Sequence, residues 1–383
     1  MLRIAFTGGG SGGHTNPLLA VIEETRHVLD APEADGTPYK LYYMGRTGIY
    51  TKEFVKNNVS LVYVPTPKLR RYFSLLNIVD IIKAPFALAI AFWHMFWIMP
   101  DVLFSKGGSG SLPVVIAARF FRVKIFIHES DTVPGLSNRI AYKGAVRVGI
   151  SFKRTKKIWD DPKVALVGNP LRPFLLSNNK NPYKKKSKRV FGFDPELPLV
   201  LVMGGSLGSD RINTFLLDNL KDIVQTYQVL HVTGTNNFES FKAELAVAAQ
   251  DLIEEQRRRY KIVGYLESEL KDALVACDIA ISRAGSGAIF ELAYFQKPSI
   301  LIPLKGSAGD HQVQNAYEYA SSGACIIIEE DNLATSIFFA QLSTVLSDVT
   351  HYQQMSQAAG KFSRPQAGAL IAKELIRLAK VRG

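Results

Sequence analysis

A chain of 383 residues is long enough for two domains, each with its own core. With 47% hydrophobic and 21% charged residues it has the balance of a soluble globular protein, which excludes wholesale disorder, a collagen-like fibre and a polytopic membrane protein. Lysine and arginine number 46 against 34 acids, and the net charge of +12 favours an anionic partner: nucleic acid, a phosphate-rich substrate or an anionic membrane face.

Residues 2–7 (LRIAFT) read as a buried strand. The run carries one Arg3 and breaks at Gly8, too short for a signal-peptide core, so a cytoplasmic protein is expected. Thr7 to His14 (TGGGSGGH) then forms a glycine loop ahead of a helical pattern that starts at Pro17. Without Cβ atoms, its amides and the helix start can face a phosphate. Gly8, Gly10 and Gly13 also satisfy G-x-G-x-x-G, a weak signal for a dinucleotide, which wants an acid at the end of the second strand. Gly45-Arg46 ends that strand, 41–45, and Arg46 suits a 2′-phosphate, so a nicotinamide phosphate enzyme stays open as a minor alternative.

Further strand-like runs at 61–64, 102–104, 123–127 and 146–150 predict a mainly parallel α/β sheet. Between them, Ala84 to Pro100 is apolar but at the lower limit for spanning about 30 Å of hydrocarbon. Phe86, Ile90, Trp93 and Trp97 form one helical stripe, and Leu88, Phe92, Met95 and Met99 form another. Either both faces are buried, or one meets the core and the other a bilayer interface. Lys68, Arg70, Arg71, Lys83 and the tryptophans favour the interface. His128 to Asp131 (HESD) follows an apolar strand, at the edge where α/β sheets place their sites; a polar core network is the alternative.

From Val164 to Arg189 the chain turns polar and basic, and the domain boundary is expected near Asn169: 1–168, then 169–362, with 363–383 as a closing helix. The run 184–189 is expected to be a solvated loop or domain-start extension, with nucleic-acid or lipid contact as the alternative. The second half repeats the alternation in VLVMGGS, YQVLHVTG, YKIVGYL, CDIAISRAG, KPSILIPL and GACIIIE. Glycine loops recur at Gly204–Gly208 and Ser282–Gly287, and Glu291 on the following helix suits a pair of ribose hydroxyls. Asp310 to Asn315 (DHQVQN) suits sugar hydroxyls, with N-capping by Asp310 as the simpler account. Cys277 and Cys325 form no C-x-x-C pair, which fits a reducing compartment, and no metal-ligand spacing, G-x-S-x-G elbow or P-loop occurs.

Taken in order, GGGSGGHTNP, GGSGSLP at 107–113, HESDTVPGLSNR at 128–139, VGNPLR at 167–172, GGSLGS and the RAGS…ELA…P…DHQ…NA block resemble the MurG family, the UDP-N-acetylglucosamine transferases that make lipid II. The resemblance implies a GT-B fold: two Rossmann-like doubly wound domains, a cleft between them, and a C-terminal helix returning to the first. It implies UDP-GlcNAc on the second domain, held by Ser206, Gly285 and Ser286 at the diphosphate, Tyr265 and Leu266 at the uracil, Glu291 at the ribose, and Asp310, Gln312 and Asn315 at the sugar. Arg172 near the phosphates, and Ser11, Gly12, Gly13, Asn138 and Arg283, complete the donor set.

The resemblance likewise places the lipid I diphosphate against Gly10, Gly13, Gly107, Gly108 and Ser109, and an anionic membrane against Trp93, Trp97, Phe86, Ile90, Arg70 and Arg71. It implies a peripheral enzyme on the inner face of the cell membrane, with no cofactor, no metal and no nucleic acid; a complex with other cell-wall enzymes is compatible with it. For an inverting displacement, His14 is the first choice of base, with Glu129 and Asp131 as rivals. Ser109, Ser130, Asp131 and Leu207 depart from the usual pattern, which bears on acceptor recognition. The alternatives are another lipid-directed GT-B enzyme, such as a diacylglycerol galactosyltransferase, and a non-catalytic nucleotide-binding membrane scaffold.

Overall fold

The computed structural model describes residues 1–383 except 10, 11, 34, 67–74, 178–182, 206, 207, 382 and 383, and for 75–82 and 308 it describes the backbone only. Gly10, Ser11, Lys68, Arg70, Arg71, Ser206 and Leu207 fall outside the described residues. The chain divides into two compact units: residues 1–173 with 364–383, and residues 174–363.

Among the described residues, unit 1 holds a seven-stranded, all-parallel sheet. Its strands are β1 (Leu2–Thr7), β2 (Tyr39–Gly45), β3 (Val59–Tyr63), β4 (Val102–Ser105), β5 (Lys124–Glu129), β6 (Arg147–Ile150) and β7 (Val164–Leu166), in the order β3-β2-β1-β4-β5-β6-β7. The strands read as unbroken apolar runs because both faces are covered. Alternation still sorts them: Leu103, Ile125 and Ile127 pack to one side with Ala91 and Met95 of the Leu75–Ile98 helix. Phe104 and Phe126 pack to the other side, with Leu18 and Ile22 of the Gly12–Asp30 helix. The same layer receives Ile371 and Leu375 of the Ala367–Lys380 helix, each fully buried and worth about 1.5–3 kcal/mol. Gly368 allows the close approach, since a Cβ there would lie 3.2 Å from Glu24 Cγ.

Unit 2 repeats the plan with β8 (Leu199–Met203), β9 (Gln228–Val232), β10 (Tyr260–Val263), β11 (Ile279–Ser282), β12 (Ser299–Leu301) and β13 (Cys325–Ile327). All pairs are parallel, in the order β10-β9-β8-β11-β12-β13. In each sheet the order reverses beside the first strand, between β1 and β4 and between β8 and β11, and open α/β sheets bind ligands outside the strand ends at such a point.

Three expectations change. The first helix begins at Gly12, so Pro17 lies inside it and leaves one helical hydrogen bond unmade. The run 184–189 is no loop but part of the Lys184–Val190 helix, where buried Lys188 pairs with Asp278 at 3.0 Å and donates to Leu197 O at 2.6 Å. Ile90 does not share the exposed stripe: it packs against the core, while Phe86, Trp93, Phe96 and Trp97 face solvent.

Candidate functional site

In unit 1 the turns after β1 and β4 meet at the reversal. Gly107 and Gly108 have φ of 86° and 83°, in the left-handed region. A Cβ on Gly108 would lie 2.6 Å from Gly9 O, and one on Gly107 would lie 2.9 Å from the Asn138 side chain, so both turns need glycine. Tyr43 donates to Gly8 O at 2.7 Å and fixes the first turn from beneath. His14 stands half-buried in the first turn of the 12–30 helix, Gly12 is half-buried and Gly13 exposed. Ser109 opens a short 3-10 turn, Ser109–Ser111, and is half-buried.

Glu129 ends β5 and is buried, with both oxygens committed: it accepts from Asp131 N at 3.0 Å, Gly135 N at 3.0 Å and Asn138 Nδ2 at 2.9 Å. Burial and neighbouring Asp131 raise its pKa against these hydrogen bonds. The carboxylate therefore caps the 131–135 turn, and Asn138 Nδ2 supports it from the Leu136–Tyr142 helix. Asp131 is half-buried, as is Arg172.

Behind the same strand ends, His128 and Ser130 of the HESD run join a buried polar network, as that run's alternative reading expected, around a lysine that the sequence did not single out. Lys106, fully buried after β4, donates to His128 Nδ1 at 2.7 Å, to Ser130 Oγ, and to Asn169 Oδ1 at 3.4 Å. His128 Nε2 donates to Gly168 O at 2.8 Å, and Ser130 donates to Asn169 Oδ1 at 3.0 Å. Burial, with Lys106 adding to it, holds the His128 pKa far below the ordinary value, so the ring is neutral. For Lys106 itself, its place before two glycines at the end of an apolar strand was the available signal.

In unit 2 the turns after β8 and β11 flank the second reversal. Gly205 and Gly208 have φ of 92° and 81°, and a Cβ on Gly208 would lie 2.1 Å from Thr233 O. Gly285 caps the Ser286–Tyr294 helix with φ −67°, and nothing lies within 4 Å of a Cβ there or at Gly287. The helix start thus opens onto free space, with Glu291 one turn beyond Gly287 and half-buried. Tyr265 beyond β10 is 45% exposed, whereas Leu266 is buried.

Arg283 is a brace. Its guanidinium donates to Ser209 Oγ at 2.6 Å, to Ile302 O at 3.0 Å and to Glu330, joining the turns after β8, β11, β12 and β13. Asn315 is buried and donates to Ala284 O at 3.2 Å. Gln312 accepts from Leu304 N at 3.1 Å, and Asp310, in the left-handed region at φ 51°, accepts from Gly306 N at 2.9 Å. Arg283, Asn315 and Gln312 therefore shape the site's walls. Ser286 is buried at the helix start.

Comparison with known proteins matches residues 4–150 to the glycosyltransferase family 28 N-terminal domain and residues 199–371 to the family 28 C-terminal domain. A Bacillus cereus protein named "UDP-N-acetylglucosamine--N-acetylmuramyl-(pentapeptide) pyrophosphoryl-undecaprenol N-acetylglucosamine transferase 2" is 34% identical, over 93% of this chain and 92% of its own. A Clostridium botulinum transferase of that name without the numeral is 35% identical over 90% of each chain. Among solved structures, Acinetobacter baumannii MurG superposes with a TM-score of 0.72 at 21% identity, covering 98% of this chain and 100% of its own. UDP-GlcNAc 2-epimerase from Neisseria meningitidis gives 0.67 at 12%, again over 98% and 100%, a likeness of fold alone.

Proposed function

The chain belongs to glycosyltransferase family 28, and from that premise we propose that it transfers N-acetylglucosamine from UDP-GlcNAc to the 4-hydroxyl of lipid I, undecaprenyl-diphosphate-N-acetylmuramoyl-pentapeptide, forming lipid II. The observation that carries this reading is 34% identity to a transferase of that name along 93% of the chain. Glycine turns at both sheet reversals support it, because the two diphosphates each require close backbone approach.

Unit 2 takes the donor. The open helix start at Gly285–Ser286 faces the diphosphate, Glu291 accepts from the ribose hydroxyls, exposed Tyr265 flanks the uracil and Asp310 meets the sugar. Unit 1 takes the acceptor diphosphate along the Gly107–Gly108 turn and the start of the 12–30 helix. The acceptor hydroxyl attacks the anomeric carbon, His14 takes its proton, and the C–O bond to UDP breaks with inversion. Helix-start amides and Arg172 meet the charge on the departing diphosphate. Asp131 is the second candidate base, since Glu129 has both oxygens engaged. Among the described residues no group of three His, Cys, Asp or Glu is placed to hold a metal ion.

No helix among the described residues is long and apolar enough to cross a membrane. We assign membrane contact to the exposed face of the 75–98 helix, where Trp93 and Trp97 are 62% and 65% exposed beside Phe86 and Phe96. Radiolabelled transfer from UDP-GlcNAc to a soluble lipid I analogue tests the reaction. The product is lipid II-like material, and UDP-galactose is not used; no transfer, or equal use of UDP-galactose, refutes the reading. His14→Ala is expected to slow turnover by about 100-fold or more with donor affinity kept. Near-normal turnover would pass the base to Asp131.

A further inference from the structure

Among the buried charges outside the roles assigned above, Lys106 lies closest in the chain to the glycine turns of unit 1. Lys106 is 1% exposed, and its three ammonium protons have three acceptors at the ends of two other strands: His128 Nδ1 and Ser130 Oγ at the end of β5, and Asn169 Oδ1 after β7. The backbone on either side is tightly constrained. Gly8 closes over the lysine, where a Cβ would lie 2.9 Å from Lys106 Cβ, and Gly107 and Gly108 follow it directly. Ser130 precedes Asp131, and Asn169 stands three residues before Arg172. Asn169 turns its oxygen to Lys106 and Ser130, which leaves its buried Nδ2 without a partner; the amide is held in that orientation by the cation.

We propose that Lys106 is a positioning residue for the transfer, its three hydrogen bonds fixing the Gly107–Gly108 turn, the backbone carrying Asp131 and the segment leading to Arg172 in one arrangement. The proposal rests on the transferase reading above. A packing role alone needs no charge here, since a neutral side chain of similar length fills the space without bringing an ammonium out of water. The ammonium contributes a third proton and the direction of its bonds, and an amine holds only two protons.

Burial lowers the Lys106 pKa to about 8, while Glu129 and Asp131 pull it upward. The sign follows: the triply donating form is present below about pH 8 and is lost as pH rises through that value. The titratable groups facing it are Glu129, Asp131 and neutral His128. Gly8, Gly149, Gly168 and Asn169 bring no charge from the neighbouring strands and turns, and Arg119 and Arg139 on the adjoining helices are exposed.

The test compares wild type, Lys106→Gln and Lys106→Arg in steady-state transfer to the soluble lipid I analogue between pH 6.5 and 10, with folding checked by circular dichroism. Lys106→Gln is expected to lower kcat/KM for the analogue about 100-fold and to leave KM for UDP-GlcNAc unchanged. Wild type loses activity above about pH 8, Lys106→Gln lacks that limb, and Lys106→Arg, charged throughout, regains part of the rate with no limb. In wild-type protein labelled with 13C-lysine, the resonance missing from Lys106→Gln titrates near the same pH. A resonance titrating at the ordinary lysine value, or an alkaline limb that survives in Lys106→Gln, overturns the proposal. Wild type inert toward the analogue sinks the transferase reading and the positioning role with it, while the resonance still reports the lysine, so the two failures are distinguishable.

Discussion

Gly285 and Gly208 sit at matching turns for opposite reasons. At Gly208 a side chain meets Thr233 O at 2.1 Å and φ is 81°, so Gly208→Ala is expected to cost about 1–3 kcal/mol from backbone strain before any clash is counted. Thermal unfolding followed by circular dichroism reads that loss. At Gly285 φ is −67° and nothing lies within 4 Å. Gly285→Ala is therefore expected to leave stability within about 0.5 kcal/mol while weakening UDP-GlcNAc binding about tenfold, roughly 1.4 kcal/mol, because the methyl stands where the diphosphate approaches. Calorimetric titration measures it, and unchanged affinity would remove the Gly285 amides from the donor site. Both loops were legible from glycine spacing alone. The brace role of Arg283 was not, because its partners Ser209, Ile302 and Glu330 come from distant parts of the chain.

At the scale of elements, two helices separate what periodicity reveals from what it hides. The two apolar stripes of residues 84–100 were visible, yet which stripe is covered depends on Ala91 and Met95 packing against β4 and β5, a tertiary fact. Trp93→Ser with Trp97→Ser is expected to release the protein from vesicles containing anionic phospholipid, with transfer to the soluble analogue retained; sedimentation with vesicles decides it. The basic helix 184–190 was hidden because its partner Asp278 lies 94 residues from Lys184. Burial opposes the Asp278 charge, but Lys184 and the hydrogen bond from Leu199 N prevail and hold its pKa low. Asp278→Asn leaves Lys188 buried without its counter-charge and is expected to destabilise unit 2 by about 3–5 kcal/mol, read in urea unfolding.

For the whole molecule, the six strands expected in the second half and six of the seven in the first all appear in the structure, since a fully covered parallel strand announces itself as an apolar run. The strand that was missed, β7, lies at the sheet edge with Ala165 exposed, so it is not covered on both faces. Each unit also hides one neutral histidine, His128 in the first and His231 in the second, the latter held down to about 3 by burial. The unfolded chain protonates both near the ordinary value, so their contribution is complete above about pH 6.5 and falls by about 1.4 kcal/mol per pH unit per histidine below it. The three tryptophans, Trp93, Trp97 and Trp159, all lie in unit 1, so fluorescence follows that unit while circular dichroism follows both. His231→Gln is expected to flatten the acid slope in circular dichroism and to leave the fluorescence transition in place.

The 367–380 helix gives unit 1 a core that is completed only after all of unit 2 has been made. On the ribosome, then, order of synthesis and order of completion diverge. Residues 174–363 form an uninterrupted stretch that can close as soon as it clears the exit tunnel, while the earlier-made 1–173 waits with its Leu18–Ile22 face uncovered. Nascent chains truncated after residue 363 and stalled behind a C-terminal linker long enough to fill the tunnel are expected to protect the later unit from protease while the earlier one is still cut, and chains that include the 367–380 helix ahead of the same linker to protect both.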